Sequence, residues 1–279
     1  ANGRLLEQAG VARPPLRWEE VPAFAERVRS RTGRYALFVT AVPDDSAELL
    51  EAMVQMGVRL LDGRRRAAFV SPAGHRAFAF WTDLFRRGLL PREVVSQGYR
   101  RAIELFQAGD LAQVATGPDF LRNLQTNSPG IAAVTTPFPP LTGADGDANV
   151  AVMNLVVPKS SAMAPEAVSF GLFLTDAANQ LAFAQEARVL PSSQEALRRL
   201  EASLAQPEAG EALVRRARGL SIEALERARV LVPATPGIKR LQAILYTQLQ
   251  RAMLGDIDSD AALLAAAREW NGYAEARWP

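Results

Sequence analysis

The stretch Phe106-Gln107-Ala108-Gly109-Asp110-Leu111-Ala112-Gln113-Val114-Ala115-Thr116-Gly117-Pro118-Asp119-Phe120-Leu121 decides how the rest of the chain is read. Within it, Gln113-Val114-Ala115-Thr116 is short, apolar and partly β-branched, and it stops at Gly117-Pro118. That pattern predicts a strand delivered straight into the first turn of a helix. Such a junction makes a ligand site, because N–H groups at the helix start lack partners and the helix dipole adds partial positive charge beside them. Asp119 and Phe120 stand at its mouth. The plainer alternative is a βα turn with a proline start and no ligand, a common feature of α/β proteins. Further on, a Pro-rich turn and a long polar loop lead into Ala151-Val152-Met153-Asn154-Leu155-Val156-Val157-Pro158, where Leu155-Val156-Val157 reads as a buried strand.

With 279 residues, 48% of them apolar, the chain is long enough for one large or two modest globular domains. No run of about 18 apolar residues occurs, so no helical membrane span is expected. The first residues, Ala1-Asn2-Gly3-Arg4-Leu5-Leu6, lack the apolar centre of a signal peptide, so an export segment is either absent or removed. Cysteine is absent, which excludes disulfides, thiolate metal sites and a cysteine nucleophile. Arginine supplies nearly all the positive charge, Lys159 and Lys239 being the only lysines, and the formal net charge is +2. The one basic triplet, Arg64-Arg65-Arg66, follows Asp62-Gly63 without interleaved aromatics, which fits a solvated turn rather than a nucleic-acid patch. His75 is the only histidine and has no second His or Cys with which to share a metal. No metal and no cofactor are expected.

Taken in order, Leu5 to Ala9 reads as a helix closed by Gly10, and Trp18-Glu19-Glu20-Val21 opens another that ends between Ser30 and Gly33. Tyr35 to Val42 is aromatic and β-branched enough for a strand. Asp45 or Ser46 caps the helix that carries Leu49, Leu50 and Met53 to Gly57. Ser71-Pro72 starts a helix whose Ala77, Phe80, Trp81, Leu84 and Phe85 recur at helical spacing, and Gly88 stops it. Arg100 to Ala108 is helical, Ile131 to Val134 reads as a strand, and Pro137 to Asn149 reads as loop. Helices are expected from Pro165, over Asn179 to Ala187, and onward to Arg229 with breaks at Pro207 and Gly219. Two helices close the chain, the first stopping at Gly255 and the second capped by Ser259 or Asp260. Few strands separated by helices imply an α/β fold with a parallel or mixed sheet, whose ligands bind beyond the strand ends.

These signals together resemble the extracellular solute-binding proteins of ABC importers, in the group that takes up sugars and glycerol phosphates. The resemblance covers nearly the whole chain. It is carried by Leu5-Leu6 through Trp18-Glu19-Glu20-Val21, by Phe69-Val70-Ser71-Pro72 with Asp83-Leu84 and Gly88-Leu89-Leu90-Pro91, and by Phe106 and Gly109 followed by Gly117-Pro118. Val157-Pro158-Lys159-Ser160, Pro165-Glu166-Ala167, Phe173-Leu174-Thr175, Leu190-Pro191 and the closing helix with Trp270 continue it. Each match is weak alone, and their order and spacing make it specific.

The resemblance implies a type II periplasmic-binding-protein-like α/β fold with lobe two nearly complete and lobe one partial. Residues 1–148 would form the main part of lobe two, 149–206 the remaining part of lobe one, and 207–279 the return to lobe two. Leu155-Val156-Val157 should then lack some sheet neighbours, and an open strand edge invites self-association. The implied role is capture of a sugar or related polyol, with or without a phosphate group, at the periplasmic or cell-surface side and delivery to the permease subunits. By position in the family, Asp119 and Phe120 would meet the solute as hydrogen-bond acceptor and stacking ring. Asn154 would lie where the chain crosses back to lobe one, where many members carry a Gly-Gly pair that is Ala151-Val152 here. Lys239 would stand where some members place an arginine, with Tyr99 and Asp45 as outer candidates. Two other classes stay open: an enzyme in which Asp44, Asp45 and Asp119 converge as paired carboxylates, and a helical interaction module without a ligand. No Ser-His-Asp set, Walker pattern or dinucleotide glycine pattern occurs.

Overall fold

The computed structural model describes residues 1–43, 45–187, 189–204 and 212–278. The chain begins with α1 (Gly3–Ala9), capped by the Asn2 side chain and closed by left-handed Gly10, and α2 (Val21–Thr32), which a 3-10 turn at Trp18–Glu20 introduces and left-handed Gly33 ends. There follow α3 (Glu48–Gln55), α4 (Pro72–Arg86), α5 (Tyr99–Gln107), α6 (Phe120–Asn127) and the single turn α7 (Pro129–Ala132). β1 (Ala148–Asn149) precedes α8 (Ala164–Leu174), α9 (Ala177–Ala187), α10 (Gln194–Leu204) and α11 (Ala212–Ala224). β2 (Ala228–Arg229) then leads to α12 (Ile238–Leu254) and α13 (Ser259–Arg277).

Local chemistry explains most of the helix ends. Ser71 accepts the Gly74 N–H at the start of α4 with Pro72 at the first helical position, as the sequence predicts. α13 is capped one residue earlier than expected, since Asp258, rather than Ser259 or Asp260, accepts the Ala261 N–H. The helix over 48–55 has Ala47 at its N-cap; Ser46 does bond the Glu48 N–H, while Asp45 turns elsewhere. Gly219 sits inside α11 instead of breaking it, and Pro207 lies outside the described residues.

The core forms where α4, α12 and α13 pack on one another and on α1, α2 and α3. Trp81 and Trp270 are fully buried there, and Trp18 meets Trp81 edge to face at 5.5 Å. Two of the three ring nitrogens are bonded: Trp18 donates to Gln55 Oε1 (2.7 Å) and Trp270 to the Arg65 carbonyl (2.9 Å). Arg86, in the last turn of α4, donates to the Ala252 carbonyl (2.7 Å) near the end of α12, a carbonyl that also accepts the Gly255 N–H, and so ties the two helix ends together. Asp62 accepts from the N–H groups of Arg64 and Arg66, so the basic triplet is a turn, as expected.

The strand expectations fare worse. Tyr35 to Val42 is extended, and Ala36 to Ala41 are all buried, yet only Tyr35 bridges a neighbour, Leu111, in parallel. Side chains and loops satisfy its backbone in place of a ladder: the Ala41 N–H goes to Val94 O and Gln250 reaches Ala41 O. Gln113 to Thr116 is likewise no strand, since past the Gln113 N–H to Ala36 O bond it drifts toward solvent. Ile131 to Val134 is overturned outright. Ser128-Pro129 starts α7, with the Ala132 N–H on Ser128 O, so the helix-start chemistry prevails over the apolar run. Among the described residues the sheet consists of β1 and β2, paired in parallel with Ala148 opposite Ala228, and β1 takes the last two residues of the expected 137–149 loop.

Residues 150–174 pack little. Leu155, Val156 and Val157 form no strand and Val156 is 82% exposed, which corrects the buried-strand reading; no described element covers them. α8 buries no residue although Val168, Phe170, Leu172, Phe173 and Leu174 lie on it.

Candidate functional site

A shallow depression of about 560 Å³ is lined by Asp45, Ser46, Tyr99 and Arg100. Its floor is set by the start of α5. The N-cap residue there is Gly98, which has no side chain to offer, and Asp45, distant in sequence, supplies the oxygen: its Oδ1 accepts the Tyr99 N–H at 2.7 Å. A Cβ on Gly98 would displace the Asp45 carboxylate from this position. The Tyr99 hydroxyl donates to the Ala115 carbonyl (3.0 Å), which ties the loop before Gly117 to the same wall. Burial pushes that hydroxyl up; contact with Thr116 opposes the shift and the Glu48 charge adds to it.

The opposite side is fixed by three polar residues on one face of α12, Gln242, Tyr246 and Gln250, spaced four apart. Gln242 Nε2 donates to Pro43 O (3.2 Å) and Ser46 O (3.1 Å), and Tyr246 donates to Ser46 O (2.9 Å) while accepting the Leu50 N–H (3.1 Å). Gln250 holds Ala41 O and Val95 O. Backbone carbonyls that a strand ladder would have used are thereby paired from a helix. Lys239 joins at the rim, its Nζ 3.5 Å from Gln242 Oε1.

Two acids open α3 beside this wall. Glu48 is half-buried, and its carboxyl is pushed up to about 8 by burial, with the negative charge of Glu51 adding to it. Glu51 is raised by burial as well. Burial lifts the Tyr246 hydroxyl, and both acids push in the same direction.

Of the residues singled out from the sequence, Asp45 and Tyr99 meet directly, and Lys239 is connected to them through Gln242 and the Pro43–Ser46 loop. Asp119 is the exposed N-cap residue of α6, but in helical geometry, and the N–H groups of Phe120, Leu121 and Arg122 bond the carbonyls of Gly117, Pro118 and Asp119. The free helix start expected there is therefore closed. Phe120 is half-buried and meets Phe106 edge to face at 6.1 Å, so its ring packs on the core. Asn154 is exposed and bonds the nearby Val152 carbonyl (3.3 Å), outside the depression. Asp44 lies outside the described residues. Sequence reasoning missed Ser46, Glu48, Arg100, Gln242 and Tyr246. The signal for two of them was present: Gln242, Tyr246 and Gln250 recur at i, i+4, i+8 on a helix face otherwise lined with leucines.

Among the described residues no group of three or more His, Cys, Asp and Glu side chains could hold a metal ion. His75 Nδ1 instead lies 2.5 Å from Asp260 Oδ1, joining the starts of α4 and α13 at the surface.

The family model of the bacterial extracellular solute-binding proteins matches residues 2–181. A crystal structure from Synechococcus sp. MITs9220, described as that of a candidate oligosaccharide periplasmic-binding protein, is 67% identical and superposes with a TM-score of 0.98 over 100% of this chain and 71% of its own. A second crystal structure of that protein is of a complex with zinc. A solute-binding protein of an ABC transporter from Thermotoga lettingae TMO, solved with α-D-tagatose, is 19% identical with a TM-score of 0.76 over 98% of this chain and 69% of its own, a likeness of fold. A candidate binding protein of Brucella abortus (strain 2308) is 25% identical over 272 residues, 95% of this chain and 62% of the relative, so the chain spans about three fifths of that curated relative's length. The fold is that of type II periplasmic binding proteins, α-rich here, with a small sheet and a partial lobe. The matched family and its structural neighbours are binding proteins and not enzymes. With a family profile matched over most of its length and a near-complete superposition on a relative of high identity, this chain belongs to the bacterial extracellular solute-binding proteins.

Proposed function

We propose that this chain is the substrate-binding component of an ABC importer that captures a sugar or related polyol outside the cytoplasmic membrane and delivers it to the permease subunits. The observation that carries this reading is the Asp45–Tyr99 depression: a shallow site lined by the Asp45 carboxylate, the Ser46 and Tyr99 hydroxyls and the Arg100 guanidinium, groups that can pair with the many hydroxyls of a saccharide. The oligosaccharide description of the relative at 67% identity supports the solute class. Residues 1–148 and 207–279 form one lobe in this reading, and 149–206 belong to the other. The solute sits between them, and β1 and β2 act as the crossing about which the lobes close. Closure selects the form that the permease recognises, and a micromolar solute supplies about 8 kcal/mol for it.

Asp45 and Tyr99 are the central ligand-binding residues, with Lys239 at the rim. Asp119 touches the solute from the loop after Ala115, Phe120 contributes only its exposed ring edge, and Asn154 comes from the far lobe. The apolar face of 152–174 pairs with further polypeptide, including a second copy when nothing else covers it. A thermal-shift screen of sugars, polyols, amino acids, peptides and metals tests the proposal. Stabilisation by a sugar or polyol that Asp45→Ala abolishes is the expected result, and stabilisation by amino acids, peptides or metals alone overturns it.

A further inference from the structure

The chain crosses between the two proposed lobes at β1 and β2, and the end of α3 lies beside both crossings. Gln55 is the last residue of α3. Its Oε1 accepts the Trp18 ring N–H (2.7 Å), which fixes the amide so that Nε2 donates to the carbonyls of Asp147 (2.9 Å) and Leu141 (3.4 Å). Asp147 immediately precedes β1. The backbone of the same loop lies directly on the helix end, since a Cβ on Gly143 would overlap the Gln55 carbonyl. Arg17 adds bonds to the Gly143 and Ala144 carbonyls, while the Thr142 N–H goes to Leu16 O (3.0 Å) and the Trp18 N–H to Thr142 O (3.2 Å).

The second crossing is held differently. Among the described residues, the hydrogen bonds of 230–236 run to β1 or along the segment itself: the Leu231 N–H goes to Asn149 Oδ1 (3.2 Å), the Thr235 N–H to Pro233 O (2.7 Å) and the Ile238 N–H to Thr235 O (3.0 Å). Between it and the end of α3 lies a cavity of about 530 Å³ whose walls include Val54, Leu61, Leu231, Pro233 and Ile238. Since β2 pairs with β1, whatever fixes Asp147 also fixes the second crossing. The opposite end of α3 belongs to the depression: Ser46, which lines it, accepts the Glu48 N–H (3.1 Å). One helix of eight residues, about 12 Å long, therefore joins the solute wall to the crossings.

Resting on the proposed capture between two lobes, we infer that Gln55 is a positioning residue for closure: it holds the crossings at a set place relative to the depression, and with them the residues beyond β1 that meet the solute there, without touching the solute itself. Its two bonds to backbone carbonyls narrow the range of positions open to β1 before any solute arrives, so less conformational entropy is lost when the lobes close. Without those bonds the cavity beside Leu231 gives the paired crossings room to shift.

The chain has no cysteine, so spin labels carried by Arg76→Cys on α4 and Arg198→Cys on α10 report the distance across the crossings without background. The experiment is pulsed electron double resonance on the full chain, with calorimetry against maltose and mannitol, in the wild type, Gln55→Glu and Gln55→Met. Gln55→Glu keeps the bulk and an acceptor for Trp18 while removing the amide donor to Asp147 and Leu141, and Gln55→Met removes all three bonds at similar bulk. Both variants should broaden the distance distribution of the sugar-free protein and weaken whichever sugar the wild type binds by about three- to tenfold. A residue that serves only the fold would instead lower the melting temperature and leave the distribution of folded molecules as in the wild type. That result overturns the inference, as does an affinity that stays the same or rises, and both leave the sugar-binding role standing. If the wild type binds neither probe, the sugar-capture reading loses its support and the sugar-free distribution alone decides the part played by Gln55.

Discussion

α4 and α8 are both rich in apolar residues, and they meet opposite fates. On α4, Ala77, Phe78, Trp81, Leu84 and Phe85 are buried together while Arg76 and Arg87 at its edges stay in water, so the helix has a face and the fold uses it. On α8, Val168, Phe170, Leu172, Phe173 and Leu174 surround the helix, and none is buried. A helix apolar on all sides is one that other polypeptide surrounds. Composition therefore does not decide burial here; the presence of a facing surface does. The Asp45–Tyr99 depression lies on the packed side, held by α12, which helps to build the core from its leucines and the site from its glutamines.

The sharpest test of that contrast is truncation on each side. Trp270→Ala should cost about 3–5 kcal/mol of unfolding free energy, as a cavity at the α13 core does, whereas Phe170→Ala should change it by less than about 0.5 kcal/mol. Denaturant melts of both variants decide the matter, and equal losses would erase the distinction. Next in size is Tyr246→Phe, which leaves the Leu50 N–H without its partner while the Ser46 carbonyl keeps Gln242, and should cost about 1–3 kcal/mol. Asp45→Ala should remove about 1 kcal/mol by uncapping α5, together with most of the affinity for sugar, read by melting and calorimetry on the same sample.

The smallest effect is in the pH dependence of stability. The Glu48 carboxyl is raised in the folded protein from an ordinary value of 4.5 to about 8, so the folded state holds a proton that the unfolded state has released over that window. Stability conferred by the protonated acid is complete below about 4.5 and is lost as pH rises toward 8. Glu48→Gln should therefore raise the melting temperature by roughly a few degrees at the alkaline end and hardly at all at the acid end. A uniform gain across the window would mean that Glu48 titrates normally.

The helix boundaries were legible because their causes are local. Gly10, Gly33 and Gly255 stand in left-handed geometry at helix ends, and Ser71-Pro72 announces α4. The strands were not, because a strand exists only through a partner distant in sequence, and Tyr35–Val42 found its partners in Gln250 and in the backbone of Val94, Gln97, Asp110, Ala112 and Gln113. The same applies to the site. Asp45 and Tyr99 could be listed separately, but nothing near either one says that they touch. Nor does anything near Phe120 in the chain say that its ring meets Phe106 edge to face.

The β1–β2 pair has a consequence beyond its two rungs. Ala148 and Ala228 sit opposite each other, so the chain that departs after β1 comes back beside its own point of departure, while α11, on the returning side, already buries Val214 and Ala217 in the core. Gly146 stands at that threshold beside the Arg227 guanidinium, in the left-handed geometry (φ 74°) that residues with side chains rarely adopt. Backbone bonds between β1 and β2, rather than the side chains of the residues between them, thus hold the points of departure and return side by side.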